Sequence, residues 1–260
     1  MTPAPFDLAG RVALVTGAGS PTGIGFATAR LLGELGAHVA VTSTTERVFD
    51  RVAELETTGV RGFGVVGDLT DEHDVSDVVS AVATALGGID ILVNNAGMLS
   101  IAGAAETGRI TDMSLATWRA GIERNLDTAF LVSRAVLPGM QDRGWGRIVN
   151  VTSVTGPVMA MRDEVAYAAA KAAMVGLARS IAVDFGPVGV TSNAVAPGWI
   201  STGSQTAHEY EQGLRTPVGR SATPTEVASA IAWLCTPGAA YTTGQCLVVD
   251  GGNSVAEERT

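Results

Sequence analysis

The sequence predicts a doubly wound α/β domain, a parallel sheet with helices on both faces. Three observations predict it. Short apolar runs alternate with helix-period stretches along the 260 residues, a glycine-rich turn follows the first apolar run, and 46% of the residues are hydrophobic against 17% charged. Strands buried on both faces read as continuous apolar runs, and helical crossovers of right-handed sense join them in parallel. The apolar content excludes a disordered chain, and the irregular spacing of the glycines excludes a collagen-like one. A chain of this length suits one core, so residues 1–260 are expected to form a single domain.

Residues 11–16 are the first expected strand, and after the glycines residues 23–35 carry a helical period. The unit repeats as strand 37–42, helix 46–58, strand 62–66 and helix 71–86, the last opened by acidic residues that suit a helix N-terminus. Strand 89–94 comes next. A long helical region at 115–143 leads into strand 147–152, and a helix at 165–185 precedes strand 190–195. The polar segment 201–215, after Pro197 and Gly198, is expected as a helical excursion and a substrate lid. Helix 225–234 and strand 245–249 complete the pattern.

A net charge of −9 repels phosphate backbones, so neither nucleic acid nor an anionic membrane is an expected partner. No uninterrupted apolar run reaches the roughly 18 residues of a membrane span, and residues 1–10 lack the basic start of a signal peptide. The expectation is a cytoplasmic protein. His38, His73 and His208 fall in different segments, and Cys235 and Cys246 fit no ligand spacing. No metal is expected, and the two cysteines are expected to be free thiols.

The turn after the first strand reads Thr16-Gly17-Ala18-Gly19-Ser20-Pro21-Thr22-Gly23-Ile24-Gly25. Glycines there let the backbone approach a pyrophosphate, whose charge is favoured by the following helix N-terminus. A tight strand-to-helix turn would use glycines too, but the place after the first strand favours a dinucleotide. Farther along, Tyr167 and Lys171 stand at i and i+4, so their Cβ atoms share one helix face roughly 5–6 Å apart. Lys171 is the one lysine among 17 basic residues. Its ammonium is expected to favour phenolate and to draw the tyrosine pKa below its usual ~10, preparing Tyr167 for proton exchange near neutral pH.

Asp68-Leu69 after the third strand, Asn94-Asn95-Ala96-Gly97 at the fourth and Tyr167-Ala-Ala-Ala-Lys171 on a later helix stand in a known order and spacing. From Gly10 to Gly252 the chain resembles the short-chain dehydrogenase/reductase family. The resemblance implies a Rossmann-type sheet and hydride transfer between a nicotinamide and a secondary alcohol or ketone. It implies that Tyr167 exchanges the proton and that Ser153, fourteen positions earlier, polarises the carbonyl. Lys171 would support Tyr167 and hold the nicotinamide ribose, and Asn125 would hold a water leading from the lysine to solvent. Cofactor contacts would come from Gly17, Gly19, Gly23, Ile24 and Gly25 at the pyrophosphate, and from Thr42, Ser43 and Thr44 beside the 2′ position. Asp68 and Leu69 would meet the adenine, Asn95, Ala96 and Gly97 the adenosine ribose side, and Pro197, Gly198, Ile200 and Thr202 the nicotinamide end. Met98, Leu99, Met159, Met161 and Trp199, with Ser153 and Tyr167, are the expected walls of a mostly apolar substrate pocket.

Two departures from the family pattern matter. Gly17 and Gly23 stand two residues farther apart than usual, whereas Gly19, Gly23 and Gly25 keep the usual spacing, so either Ser20-Pro21-Thr22 or Ala18-Gly19 bulges. After the second strand, Ser43 occupies the place of an NAD-selecting acid and Thr44 that of an NADP-selecting arginine. A carboxylate would repel a 2′-phosphate and its absence permits one, with Arg47 the nearest cation, so NADP is expected with NAD as the alternative. Two other functions compete. One is reduction of 3-oxoacyl groups on an acyl-carrier protein, for which Arg143, Arg147 and Arg179 could form a landing patch; the other is a non-catalytic dinucleotide sensor. Enoyl reduction is disfavoured because that branch spaces its tyrosine and lysine more widely. Finally, helix 165–185 is apolar on nearly every side and must be buried there. With 126–137, and with strand 245–249 beside helix 225–234, it predicts two self-complementary interfaces and a homotetramer.

Overall fold

The computed structural model describes residues 2–97 and 107–257. Met98 and Leu99 lie outside the described residues. The strands are β1 (Val12–Val15), β2 (His38–Ser43), β3 (Gly62–Val66), β4 (Ile91–Asn94), β5 (Gly146–Val151), β6 (Val190–Pro197) and β7 (Cys246–Val249). The helices are α1 (Ile24–Glu34), α2 (Arg47–Thr57), α3 (Glu72–Leu86), α4 (Leu115–Ile122), α5 (Thr128–Arg143), α6 (Val165–Phe185), α7 (Ala207–Leu214) and α8 (Pro224–Cys235). All pairings are parallel, in the order β3-β2-β1-β4-β5-β6-β7. The order reverses between β1 and β4, and the crevice beyond their carboxyl ends is where such sheets bind nucleotides.

Side-chain alternation splits each central strand between two cores. Ala13, Val15, Ile91 and Val93 pack with α1, α2 and α8, whereas Leu14, Leu92 and Ile148 pack with α3, α5 and α6. Burial on both faces explains why these strands carry no polar stripe. By length and hydropathy alone Val165–Val188 could cross a membrane, which the count of uninterrupted apolar residues overlooked. It packs against β5 and β6 instead.

The helical region expected at 115–143 is three pieces. Between α4 and α5 a π-helical turn covers Glu123–Asp127, with Asn125 Nδ2 donating to the Gly121 carbonyl at 3.1 Å. Single π turns of this kind recur at functional sites. The segment expected as a lid is a loop followed by α7, whose start is a capping box between Thr206 and Glu209.

Candidate active site

The glycine turn follows β1 and enters α1 at its N-cap, Gly23. Gly17 has φ +65°, and a Cβ there would stand 2.8 Å from Ala96 Cα, so only glycine lets this turn close on the end of β4. A Cβ on Gly19 would strike Ser43, and one on Gly25 would strike Asn95. Ser20-Pro21-Thr22 is the segment that bulges: Gly23 N donates across it to the Ser20 carbonyl, and Thr22 Oγ1 accepts from Gly203 N at 3.0 Å. Ala18 is buried, and its N–H is bonded to the Thr42 carbonyl. The α1 N-terminus has no side-chain cap and no acidic residue in its first turn, so its N–H groups are open to an anion. These residues fit a pyrophosphate.

Other expected contacts divide. Ser43 is half-buried and Thr44 exposed, so both are open to a ligand beyond the end of β2, and Arg47 Nε donates to Thr45 Oγ1 at 3.0 Å. Thr42 is different: it is fully buried, and its hydroxyl has no partner among the described residues. Its position in β2 puts its side chain on the same face as Ala40, toward the core. Asn95 is a brace. Its Nδ2 donates to the carbonyls of Thr16 at 3.0 Å and Gly17 at 3.1 Å, locking the glycine turn to β4. Asp68 is exposed and accepts from Thr70, while Leu69 is buried behind it.

Ser153 follows β5, and Tyr167 and Lys171 lie on α6. Ser153 and Tyr167 line one cleft of about 360 Å³ with Val154, Met161, Gly198, Trp199, Ile200 and Thr202. Ser153 Oγ accepts from Thr155 N at 3.1 Å, and its hydroxyl is near enough to the Tyr167 phenol to draw the phenol's pKa down. Lys171 is buried, and its Nζ donates to the Val151 carbonyl at 3.0 Å and stands 5.6 Å from the centre of the Tyr167 ring. Thr152 Oγ1 donates back to the Lys171 carbonyl at 2.6 Å, strapping α6 to the end of β5. The expected drop in the tyrosine pKa is not what this environment gives. Burial pushes the phenol up to about 12, against the pull of the Ser153 hydroxyl and with the charges of Glu164 and Glu209 adding to the rise. Burial also pushes Lys171 down to about 8. Desolvation is the leading cause for both groups.

Asn125 is buried behind Gly97, where a Cβ would stand 2.9 Å from Asn125 Oδ1. That oxygen has no partner among the described residues, which suits an ordered water. Met161 is in the cleft wall but Met159 is not; its sulfur accepts from Asn253 Nδ2 at 3.6 Å, beneath the C-terminal turn. Reading the sequence missed the acidic wall, Glu164 and Glu209, and the hydroxyls of Thr155, Ser204 and Thr206. The signal was there for Glu164, which stands three residues before Tyr167 at the mouth of the same helix.

A family model described as "Enoyl-(Acyl carrier protein) reductase" matches residues 17–254. The chain is 41% identical to the 3-oxoacyl-[acyl-carrier-protein] reductase FabG of Vibrio cholerae over 95% of this chain and 98% of that one. It is 40% identical to the cis-4-hydroxycyclohexanecarboxylate dehydrogenase of Sinomonas cyclohexanicum, over 93% and 96%. A crystal structure of a candidate NAD(P)-dependent gluconate 5-dehydrogenase from Beutenbergia cavernae, with NADP bound at low occupancy, superposes with a TM-score of 0.88. It is 37% identical and covers 97% of this chain and 100% of its own.

Proposed function

The chain belongs to the short-chain dehydrogenase/reductase family and is an NAD(P)-dependent oxidoreductase of alcohols and ketones; we propose that Ser153, Tyr167 and Lys171 carry its chemistry, with NADP as cofactor. The observation that carries this reading is that Ser153 and Tyr167 line one cleft, with Lys171 Nζ 5.6 Å from the centre of the tyrosine ring. A bound nicotinamide supplies the hydride, or receives it. The protein's part is to hold the substrate oxygen between the Ser153 hydroxyl, which donates to it, and the Tyr167 hydroxyl, which gives it a proton on ketone reduction and takes one on alcohol oxidation. Lys171, charged below its pKa of about 8, stabilises the phenolate side of that exchange. Asn125 would hold the water through which the lysine meets solvent.

NADP is supported by the lack of any acid at Ser43 and Thr44, and the Gly17 to Gly25 turn with the open start of α1 would hold its pyrophosphate. Reduction of carrier-bound 3-oxoacyl groups is the second reading, favoured by the 41% identity to FabG. Against it, two of the three arginines of the expected landing patch are spent. Arg143 Nε donates to Asp90 at 3.1 Å, and Arg147 is buried, stacked on Trp145 and bonded to the Gly146 carbonyl. A non-catalytic sensor would have no use for a proton donor that shares its cleft with a second hydroxyl.

We also propose a cytoplasmic homotetramer. Phe130 on α5 and Val183 on α6 are 45% and 76% exposed, and the edge strand β7 leaves Leu247 and Val248 uncovered, which supports two apolar self-contacts. A spectrophotometric screen of alcohols and ketones with both cofactors tests the function. Turnover of a secondary alcohol or ketone with NADP supports it; a chain that binds NADPH but turns over no alcohol or ketone contradicts it.

A further inference from the structure

The cleft contains a carboxyl group that the proton chemistry does not use. Glu164 is only 6% exposed, lines the cleft beside Tyr167, and its Oε2 has no hydrogen-bond partner among the described residues. Its neighbour in the wall, Glu209, is engaged, because it accepts from Thr206 N at 2.6 Å in the capping box of α7. No Lys, Arg or His is among the described residues that line the cleft. The backbone holds Glu164 in place: Asp163 before it is left-handed at φ 63°, and the Asp163 carbonyl accepts from Gly108 N at 2.7 Å. Val154, Met161, Trp199 and Ile200 supply the apolar part of the cleft lining.

A buried carboxyl oxygen without a partner is costly, and a cleft whose wall holds one favours a ligand that completes it. We propose that Glu164 is the specificity residue of this cleft, accepting a hydrogen bond from a hydroxyl substituent of the substrate, so that the enzyme takes neutral hydroxylated alcohols on an apolar frame and rejects anionic ones. The proposal rests on the alcohol-oxidoreductase reading of the same site. Burial pushes the Glu164 carboxyl up to about 7, with Asp163 and Glu209 adding to the rise, as expected of an acid with no cation beside it. A second negative charge brought in by a substrate carboxylate would meet two acids and no base. The same acids make a thioester on an acidic carrier a poor guest.

Three compounds of one frame test this at pH 8 with NADP+: 4-(hydroxymethyl)cyclohexanol, 4-methylcyclohexanol and 4-hydroxycyclohexanecarboxylate. Each is assayed as a substrate and titrated as an inhibitor of the best alcohol from the screen, so the ranking is readable without turnover. The wild type is expected to favour the hydroxymethyl compound over the carboxylate at least ~10-fold, and over the methyl compound by a similar factor. Glu164→Gln should lower the first ratio at least ~10-fold by admitting the carboxylate, and Glu164→Leu should abolish the second. A wild type that takes the carboxylate as well as the hydroxymethyl compound overturns the proposal, even where neither variant folds. Ratios that stay unchanged in both folded variants overturn it too. A protein that oxidises no alcohol in the screen fails the functional reading instead, a result separable from loss of selectivity.

Discussion

Thr22 Oγ1 accepts a hydrogen bond from Gly203 N at 3.0 Å, joining the bulged glycine turn to the loop before α7 across 181 positions of sequence. The bulge that lengthens this turn thus reaches, through Thr22, the segment that leads to α7. A Cβ on Gly203 would stand 2.6 Å from the Thr22 hydroxyl, so the approach depends on the glycine as well.

Thr22→Val keeps the shape of the bulge and removes the acceptor. A hydrogen bond of this kind contributes about 1 kcal/mol, so the dissociation constant of NADPH should rise roughly fivefold. Fluorescence titration of the cofactor checks it; an unchanged constant would mean that the contact does not support the binding cleft.

Ser43 is spent locally, its hydroxyl donating to the Thr45 carbonyl at 2.7 Å, and it stands half-buried at the end of β2, where the 2′ position is expected. Ser43→Asp should move the ratio of kcat/KM for NADPH over NADH toward NADH by at least ~10-fold, because the carboxylate repels a 2′-phosphate and accepts from a 2′-hydroxyl. Comparison of both cofactors at saturating substrate measures it. A wild type that already prefers NADH strongly would contradict the assignment of NADP.

Lys171→Ala removes both the charge behind Tyr167 and the group expected at the nicotinamide ribose. Turnover should fall at least ~10²-fold and cofactor binding should weaken together. Steady-state kinetics with a separate cofactor titration distinguish the two effects; a change in one alone would remove one of the two roles.

Glu164 also sets a pH dependence of stability. Its folded pKa of about 7 lies above the ordinary 4.5, so between these values the folded state binds more protons than the unfolded one, and stability falls as pH rises through that window. The loss is at most about 3 kcal/mol, from the size of the shift. Glu164→Gln removes the titrating group. The Tm of the variant relative to wild type should therefore climb from pH 4.5 to pH 7.5 and level off above it. A difference that stays constant across the range would mean that the carboxyl does not titrate in the folded protein.

Much of this fold is legible in the sequence because a parallel sheet writes itself as apolar runs separated by helical periods, and both ends of β3 and α6 fall where the pattern puts them. The break at Asn125 is not legible: the residues of the π turn continue the helical period, and the close approach of Gly97 to Asn125 comes from the tertiary fold. Alternation could not separate Thr42 from Ser43, because β2 is buried on both faces, with Ala40 toward one core and Val39 and Val41 toward the other, and only the strand end leaves Ser43 partly open. Met159 and Met161 are two residues apart in an irregular segment, where no period tells which one meets the cleft. Glu164 escaped notice because an acid before a helix reads as a cap, and only its burial and missing partner separate it from one.

Tyr167→Phe deletes one oxygen, the one the account requires for proton exchange, and leaves the ring packed as before. Measured by single-turnover hydride transfer with bound NADPH and the best ketone of the screen, the rate should fall at least ~10²-fold while the NADPH dissociation constant stays within about twofold. A variant that retains the wild-type rate would contradict the assignment of Tyr167 as the proton donor.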